Sequence, residues 1–526
     1  MRRLLPTALA LAGCFSTTPV TESLFDPVEV VLGVAGRPTV LTEFLTGGPM
    51  ADLAVVTVGP DGEREVQLFA FGDSTWTAGR RVALGADVAF VDVVQIGGRE
   101  RLVVGGAREL RAVDFETGDQ RPLAALADAL PGLREGGIPH ADVSHDLTGD
   151  GRDDVVVPTA EGWAVAVQTD DGFAEPLTVG SAPDLRRIAG ADGHRLDPWP
   201  QARVWATDAD GDGRPDLVAA DGPRLLVHRQ DASGQFEAAA ETLAVDIDAP
   251  DDTARLGDGV GRVRAIHTVA DLTDDGVPDL LVLALDGSRG EARTRVDFHR
   301  GTAAGGALAF APDPTQSLGS DGRVQIALDT PDLDGDGAPD LVITSIERRF
   351  LTGSWWKRLK GSMGDDVWLT IELVRAVDGR LVEATTRRLA LDGPPSPREP
   401  GWVPLEVVLR GGTHAVQPDP RWARAFDTFT RVGDVTGDGR PDLLIGDHPS
   451  RLSVHRGTGG PALFADPVDV PVRLPGDGEY AWLADLNGDD RLDVVLHHPF
   501  WERDAHGGRL RPPGTEPHQL TLLLAR

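Results

Sequence analysis

DADGDGRPDLV, residues 208–218, decides how this chain is read. Asp208, Asp210, Asp212 and Asp216 occupy positions one, three, five and nine of an acidic loop, Gly213 follows position five, and an apolar run starts at once with Leu217-Val218. Oxygens at alternate positions suit a hard divalent cation such as Ca²⁺, which takes six to eight oxygen ligands and often a main-chain carbonyl among them. The glycine permits the tight, left-handed bend that returns the chain towards an ion. On this reading the four aspartates supply carboxylates and Arg214, at position seven, supplies its carbonyl.

Five more loops repeat the pattern. DLTGDGRDD (146–154) offers Asp146, Thr148, Asp150, Arg152 and Asp154; DLTDDGVPD (271–279) offers Asp271, Thr273, Asp275, Val277 and Asp279. DLDGDGAPD (332–340) offers Asp332, Asp334, Asp336, Ala338 and Asp340; DVTGDGRPD (434–442) offers Asp434, Thr436, Asp438, Arg440 and Asp442. DLNGDDRLD (485–493) offers Asp485, Asn487, Asp489, Arg491 and Asp493, with Asp490 where a glycine is expected, which points to a strained or weaker site. One Asp-Gly-rich stretch reads equally well as a plain turn; six with a single oxygen spacing do not. An EF-hand is excluded, since it needs a twelve-residue loop ending in Glu between two helices. Here each loop runs into apolar text such as Val155-Val156-Val157 or Leu341-Val342-Ile343, which reads as a buried strand. The loops are therefore strand-to-strand turns.

The intervals between first aspartates (146, 208, 271, 332, 434, 485) are 62, 63, 61, 102 and 51 residues. That is the length of a four-stranded blade with variable outer loops, so the fold class is all-β, a β-propeller. Two upstream units carry decayed loops: 40–58, where Thr46 and Asp52 alone keep ligand-like side chains, and 88–106, where the acidic positions are gone. Neither is expected to hold metal. Counting them gives eight blades, with seven as the alternative if one decayed unit belongs to a neighbour.

The pattern D-x-[DNT]-x-D-G-x-x-D-[LV] ahead of an apolar strand resembles the FG-GAP and VCBS-type repeats of integrin alpha-subunit propellers and of many bacterial surface proteins. The resemblance covers about residues 25–526 and implies a seven- or eight-bladed propeller with Ca²⁺ in the loop between the first two strands of a blade. It implies nothing about a partner.

The last unit stops one strand short, and FDPVEVVLG (25–33) resembles the stretch 464–476 that reads as an outer strand. The N-terminal segment is expected to complete the last blade, which removes open sheet edges. Ahead of it, Arg2-Arg3, apolar residues 4–12 and Leu11-Ala12-Gly13-Cys14 look like a bacterial lipoprotein signal. Residues 1–13 are then a signal peptide, 14–24 a tether and 25–526 the propeller, with lipidated Cys14, the only cysteine, as membrane anchor. The expected location is the cell envelope, at the outer membrane or cell surface.

Net charge is −32, and the six loops hold 20 carboxylates at positions one, three, five and nine. Three or four carboxylates so close together are unfavourable without a cation, so about six structural Ca²⁺ ions are expected. The acidity argues against nucleic acid, which needs a basic footprint. A monomer is expected.

One insertion breaks the period. The sixth unit is about 40 residues longer than its neighbours and carries ERRFLTGSWWKRLKGSMGDD (347–366), which contains Lys357 and Lys360, the only lysines in the chain. With Arg348, Arg349 and Arg358 they surround Trp355 and Trp356, while Phe350/Leu351, Trp355, Leu359 and Met363 recur at helical spacing. A short helix at about 346–365, packed by its aromatics or touching an anionic partner, is expected there.

Catalytic signatures are sparse. No HExxH or GxSxG occurs; His145 and the pair His497-His498 read as loop-rim residues, and Tyr480 is the single tyrosine. The expected function is therefore non-enzymatic binding of protein or glycan on a calcium-stabilised propeller. The alternative is a carbohydrate-active enzyme, a lyase or hydrolase, on the same scaffold.

Overall fold

In the computed structural model the described residues are 24–34, 38–59, 61–72, 75–126, 129, 137–170, 172–181, 187–190, 193–196, 204–221, 224–245, 260–288, 293–304, 307–319, 323–347, 368–377, 379–390, 429–460, 462–475, 480–498 and 518–526. They form 38 strands and no α-helix. Eight sheets have four antiparallel strands each, and three further two-stranded ribbons decorate the connections.

In seven sheets the strands follow chain order, as a propeller blade requires. Blade 1 is Thr39–Glu43, Asp52–Val58, Arg64–Gly72 and Thr75–Leu84; blade 2 is Phe90–Ile96, Arg99–Gly105, Glu109–Val113 and Gln120–Ala125. Blade 3 is Ser144–His145, Asp154–Pro158, Trp163–Ala166 and Leu177–Val179; blade 4 is Val204–Thr207, Asp216–Asp221, Arg224–His228 and Glu241–Ala244. Blade 5 is Val260–Ala270, Asp279–Ser288, Arg293–His299 and Gln316–Leu318; blade 6 is Arg323–Asp329, Leu341–Glu347, Trp368–Val377 and Arg380–Ala390. Blade 7 is Phe429–Gly433, Asp442–His448, Arg451–His455 and Val468–Pro471. The two decayed units are thus full blades, and the count is eight.

Blade 8 takes its strands Ala481–Ala484, Asp493–His498 and Gln519–Ala525 from the end of the chain and its outermost strand, Phe25–Val31, from the beginning. The register runs unbroken from Phe25 opposite Ala525 to Val31 opposite Gln519. Two further backbone bonds extend it, Leu32 N–H to His518 O (2.9 Å) and Arg526 N–H to Leu24 O (3.1 Å). The expected closure by the N-terminal strand is what the fold adopts.

Why the second strand of every blade reads as a solid apolar run follows from where it sits. Successive side chains point to opposite faces of a strand, and each blade is covered on both faces by its neighbours. Val155 and Val157 enter the core shared with blade 2, whereas Val156 enters the one shared with blade 4. Leu217 and Ala219 turn back to blade 3, and Val218 and Ala220 turn forward to blade 5. The described residues hold eight such cores, one per pair of neighbouring blades, including one between blades 8 and 1 that contains Val30, Leu53, Val495 and Leu522. A fully buried leucine such as Leu217 contributes about 1.5–3 kcal/mol, so the ring is held by repetition of modest interfaces.

Strands Trp368–Val377 and Arg380–Ala390 resume blade 6 after its insertion. Of the helix expected at about 346–365, residues 346–347 belong to the strand Leu341–Glu347 and the rest lies outside the described residues, as do the signal peptide and Cys14.

Candidate metal centres

All six acidic loops join the first strand of a blade to the second, so they recur at one end of blades 3 to 8. Their internal geometry is shared. The position-one carboxylate folds the loop around itself: Asp208 accepts from the amides of Gly211 (2.7 Å), Asp212 (3.1 Å) and Gly213 (2.8 Å). Asp146 does the same with Gly149, Asp150 and Gly151, and Asp434 with Gly437, Asp438 and Gly439. Asp271, Asp332 and Asp485 accept from the equivalent amides of their own loops. The chain can turn this tightly because Gly211 and Gly213 take φ of +80° and +84°. In the last loop Asp490 is held at φ +64°, a region that costs a side-chain-bearing residue energy, which is the strain its sequence suggests.

Position nine is buried in every loop: Asp154, Asp216, Asp279, Asp340, Asp442 and Asp493 are all at most 2% exposed. One oxygen accepts the amide of loop position two and the other accepts an amide from the end of the third strand or just beyond it. For Asp216 these donors are Ala209 (3.2 Å) and Gln230 (2.9 Å). The third-strand donors elsewhere are Gln168, Gly301, Ala376, Gly457 and Ala525. Burial pushes these carboxyls up, to about 6 at Asp154, Asp279, Asp340 and Asp493, against the pull of the amides, and raises Asp216 and Asp442 as well. A buried carboxylate with raised proton affinity is one that lacks sufficient countercharge.

Position three tests whether a cation fits. The Thr148, Thr273 and Thr436 hydroxyls and Asp334 Oδ1 are buried with no hydrogen-bond partner. Thr148, Thr273 and Thr436 lie near enough to Asp150, Asp279 and Asp442 to favour their ionised forms, but not in hydrogen-bond geometry. Unpaired buried oxygen is costly, and here it recurs at one loop position in four blades. Two carboxylate trios, Asp208/Asp210/Asp216 and Asp332/Asp334/Asp340, bring oxygens within 4.8 Å of one another. Positions one, three and nine therefore fit a metal ion. Asn487 differs, since its amide binds Asp489 inside the loop.

Position five departs from the expected convergence. Asp212 and Asp336 are outside those trios. Asp150, Asp212, Asp275, Asp336, Asp438 and Asp489 instead accept the position-seven amides of Arg152, Arg214, Val277, Ala338, Arg440 and Arg491 at 2.9–3.0 Å. Arg152 and Arg214 add their guanidinium groups to the same carboxylates. Among the position-nine partners, the third-strand amides are invisible to a reading of the loop alone. Their signal in the sequence is a recurring His-Arg followed by Gln or Gly at 228–230, 299–301 and 455–457.

The decayed loops keep fragments of this design. Asp52, 1% exposed, still accepts Thr46 N–H (2.7 Å) and the Thr46 hydroxyl (3.1 Å), but Phe44 stands at position one. Blade 2 has a two-residue Gly97-Gly98 hairpin with φ of +58° and +72°.

A second group of titratable side chains gathers where blades 1 to 3 meet. Glu43 ends the first strand of blade 1, and Asp92 lies in the first strand of blade 2. Asp92, 4% exposed, accepts Val143 N–H (2.8 Å) and pairs with His140 Nε2 at 2.9 Å. Burial, then the charges of Glu100, Asp92 and Asp153, push Glu43 up to about 8, with His140 opposing. Glu100 is raised too, chiefly by burial, and accepts Phe44 N–H. His145 is half-buried at the end of its short strand. The rim position expected for His497 is not what the fold gives it: it is 2% exposed, its Nε2 lies 3.1 Å from His518 Nδ1, and its ring meets Tyr480 edge-on at 5.3 Å. The reason is that the strand Asp493–His498 stays paired with Gln519–Ala525 to its last residue.

The chain is thus an eight-bladed β-propeller with acidic inter-strand loops on six consecutive blades. It carries FG-GAP-like repeats: the family model for that repeat matches residues 208–282 and 434–496, spanning two of the loops from each stretch. Among curated proteins none matches the sequence. Solved structures similar to it include the WD40 domain of SCAP from fission yeast, at 8% identity and a TM-score of 0.35, covering 95% of this chain and 98% of that one. A putative 6-phosphogluconolactonase from Bacteroides uniformis has 14% identity and a TM-score of 0.32, over 81% and 97%. The Vibrio cholerae biofilm matrix protein Bap1 has 13% identity and a TM-score of 0.28, over 96% and 88%.

Proposed function

We propose that this protein is a non-enzymatic, calcium-stabilised β-propeller of the bacterial cell envelope that binds a protein or glycan. The observation that carries the calcium reading is the set of unpartnered, buried position-three oxygens beside converging aspartates. Positions one, three and nine of each loop would hold the ion, with position five and the position-seven carbonyl joining after a small rotation of the loop. A bound Ca²⁺ supplies the countercharge that the buried carboxylates lack. Extracellular millimolar calcium would saturate even sites with a Kd of ~10⁻⁴ M. Elemental analysis after equilibration with calcium and dialysis should find about six ions per chain, and a metal-free protein would sink the reading.

The envelope location draws on the sequence alone. A Cys14→Ser variant is expected to leave the membrane fraction, and its retention there would remove the lipoprotein reading. For the partner, a glycan array run with and without chelator is the first test, with calcium-dependent binding expected.

A carbohydrate-active enzyme is the second reading, favoured by one observation. His140 oriented by buried Asp92, with a proton-holding Glu43 nearby, has the ingredients of an acid–base pair. Turnover of an acidic polysaccharide that is lost in His140→Ala and in Glu43→Gln would replace the binding reading with this one.

A further inference from the structure

The residue immediately before the third-strand donor of the position-nine bond holds an equivalent place in the chain in each of the six acidic-loop blades. It is Val167 in blade 3, Arg229 in blade 4, Arg300 in blade 5, Arg375 in blade 6, Arg456 in blade 7 and Leu524 in blade 8. Three of these arginines reach loop carboxylates. Arg229 Nη1 lies 2.9 Å from Asp216 Oδ2 and 3.4 Å from Asp210 Oδ2, while its Nη2 is anchored on Glu241 at 2.8 Å. Arg375 Nη1 lies 3.1 Å from Asp334 Oδ2, and Arg300 Nη2 lies 2.8 Å from Asp275 Oδ2.

Asp210 and Asp216 both belong to the trio of blade 4, and Asp334 to that of blade 6. In blades 4 and 6 a guanidinium and a divalent ion therefore call on the same carboxylates. Building on the calcium reading above, we infer that Arg229, Arg300 and Arg375 are resident counter-cations of the loops in blades 4, 5 and 6, which compete with calcium there and set those three sites apart as the weaker, exchangeable ones.

The physics follows from charge and shape. A guanidinium is always charged, weakly hydrated and offers a planar fork that suits carboxylates. Held by the third strand, it neutralises part of the loop at no cost in ordering a distant side chain. Blades 4 to 6 then keep their loops closed when calcium leaves. Blade 8, with Leu524 at this place and no guanidinium on its loop carboxylates among the described residues, has no such substitute and depends on the ion, whereas blade 3 has only the short-range Arg152 on Asp150. The same positive charge must be moved or repelled when Ca²⁺ binds, which lowers affinity at blades 4 to 6.

The test is a calorimetric calcium titration of the full chain against an Arg229→Met, Arg300→Met, Arg375→Met triple variant, with thermal unfolding of both in excess chelator. The wild type should resolve tighter and weaker classes of site. In the triple variant the weaker class should tighten by about two- to fivefold, the scale of a partly exposed ion pair, and the chelated variant should melt below the chelated wild type. Arg229→Met alone, read in the same way, serves if the triple variant does not fold, and Arg229→Lys, which keeps charge without the fork, should fall between. Unchanged or weaker calcium affinity in the methionine variants overturns the inference while leaving the calcium reading intact. No calcium binding by the wild type overturns both.

Discussion

Asp216 accepts a hydrogen bond from the amide of Gln230 at 2.9 Å, joining the end of the acidic loop to the residue beyond the third strand of the same blade. The equivalent bond recurs at the other five acidic loops. Position nine is thus a covalent-free staple within the blade as well as a candidate ligand, and the two roles separate by mutation. Asp216→Asn keeps a carbonyl oxygen for one amide and removes the charge; Asp216→Ala removes both acceptors. The alanine variant should lose about 2–4 kcal/mol, from two buried amides left without partners, and the asparagine variant less. Thermal unfolding in excess chelator, where no ion contributes, checks this directly.

The loop of blade 8 carries a removable strain. Asp490 sits at φ +64°, where Gly213 of blade 4 sits at +84°. Replacing Asp490 by Gly should stabilise the protein by up to about 1 kcal/mol, and the reciprocal Gly213→Asp should destabilise it by a similar amount. Nothing lies within 4 Å of a Cβ built at Gly213, so crowding does not confuse the comparison.

How much of this was legible in the sequence depends on whether the information is local. The acidic loops, the apolar second strands and the completion of blade 8 by residues 25–31 could all be read, because each follows from spacing or from strand periodicity. The Asp216–Gln230 staple could not: it depends on which register the third strand adopts, and its trace, the repeated His-Arg, has no meaning until the register is known. Position five is legible only in part, for a related reason. Side-chain spacing says which residues share a loop face, whereas the competing amide of position seven captures Asp212 and its counterparts. His497 was placed on a rim because the length of its strand was underestimated by the apolar run that starts it.

A pH dependence should originate where blades 1 to 3 meet. Glu43 has a folded-state pKa of about 8 against an ordinary 4.5. A raised carboxyl favours the folded state most when protonated, so this contribution is complete at low pH and is lost as pH rises through about 8. Burial sets the direction, the charges of Glu100, Asp92 and Asp153 add to it, and His140 opposes it. Melting temperature measured in chelator should therefore fall between about pH 4.5 and 8, and Glu43→Gln, which mimics the protonated side chain, should flatten that fall. A slope unchanged by the variant would assign the effect elsewhere.

Ring closure rests on a strand far from its partners in sequence. Phe25, 2% exposed, lies in the core between blades 7 and 8, and Val30 in the core between blades 8 and 1. Phe25→Ala should cost about 3–5 kcal/mol. Hydrogen exchange should locate the loss in blade 8, at Asp493–His498 and Gln519–Ala525, before it reaches blades 3 to 5.

Thermal unfolding with and without calcium tests the role of the six loops most directly. Ions that bind only the folded ring stabilise it by mass action, so excess EGTA should lower the melting temperature by many degrees and added calcium should restore it. A transition that is the same in calcium and in EGTA would contradict the account, leaving the acidic loops as turns held by their own amides.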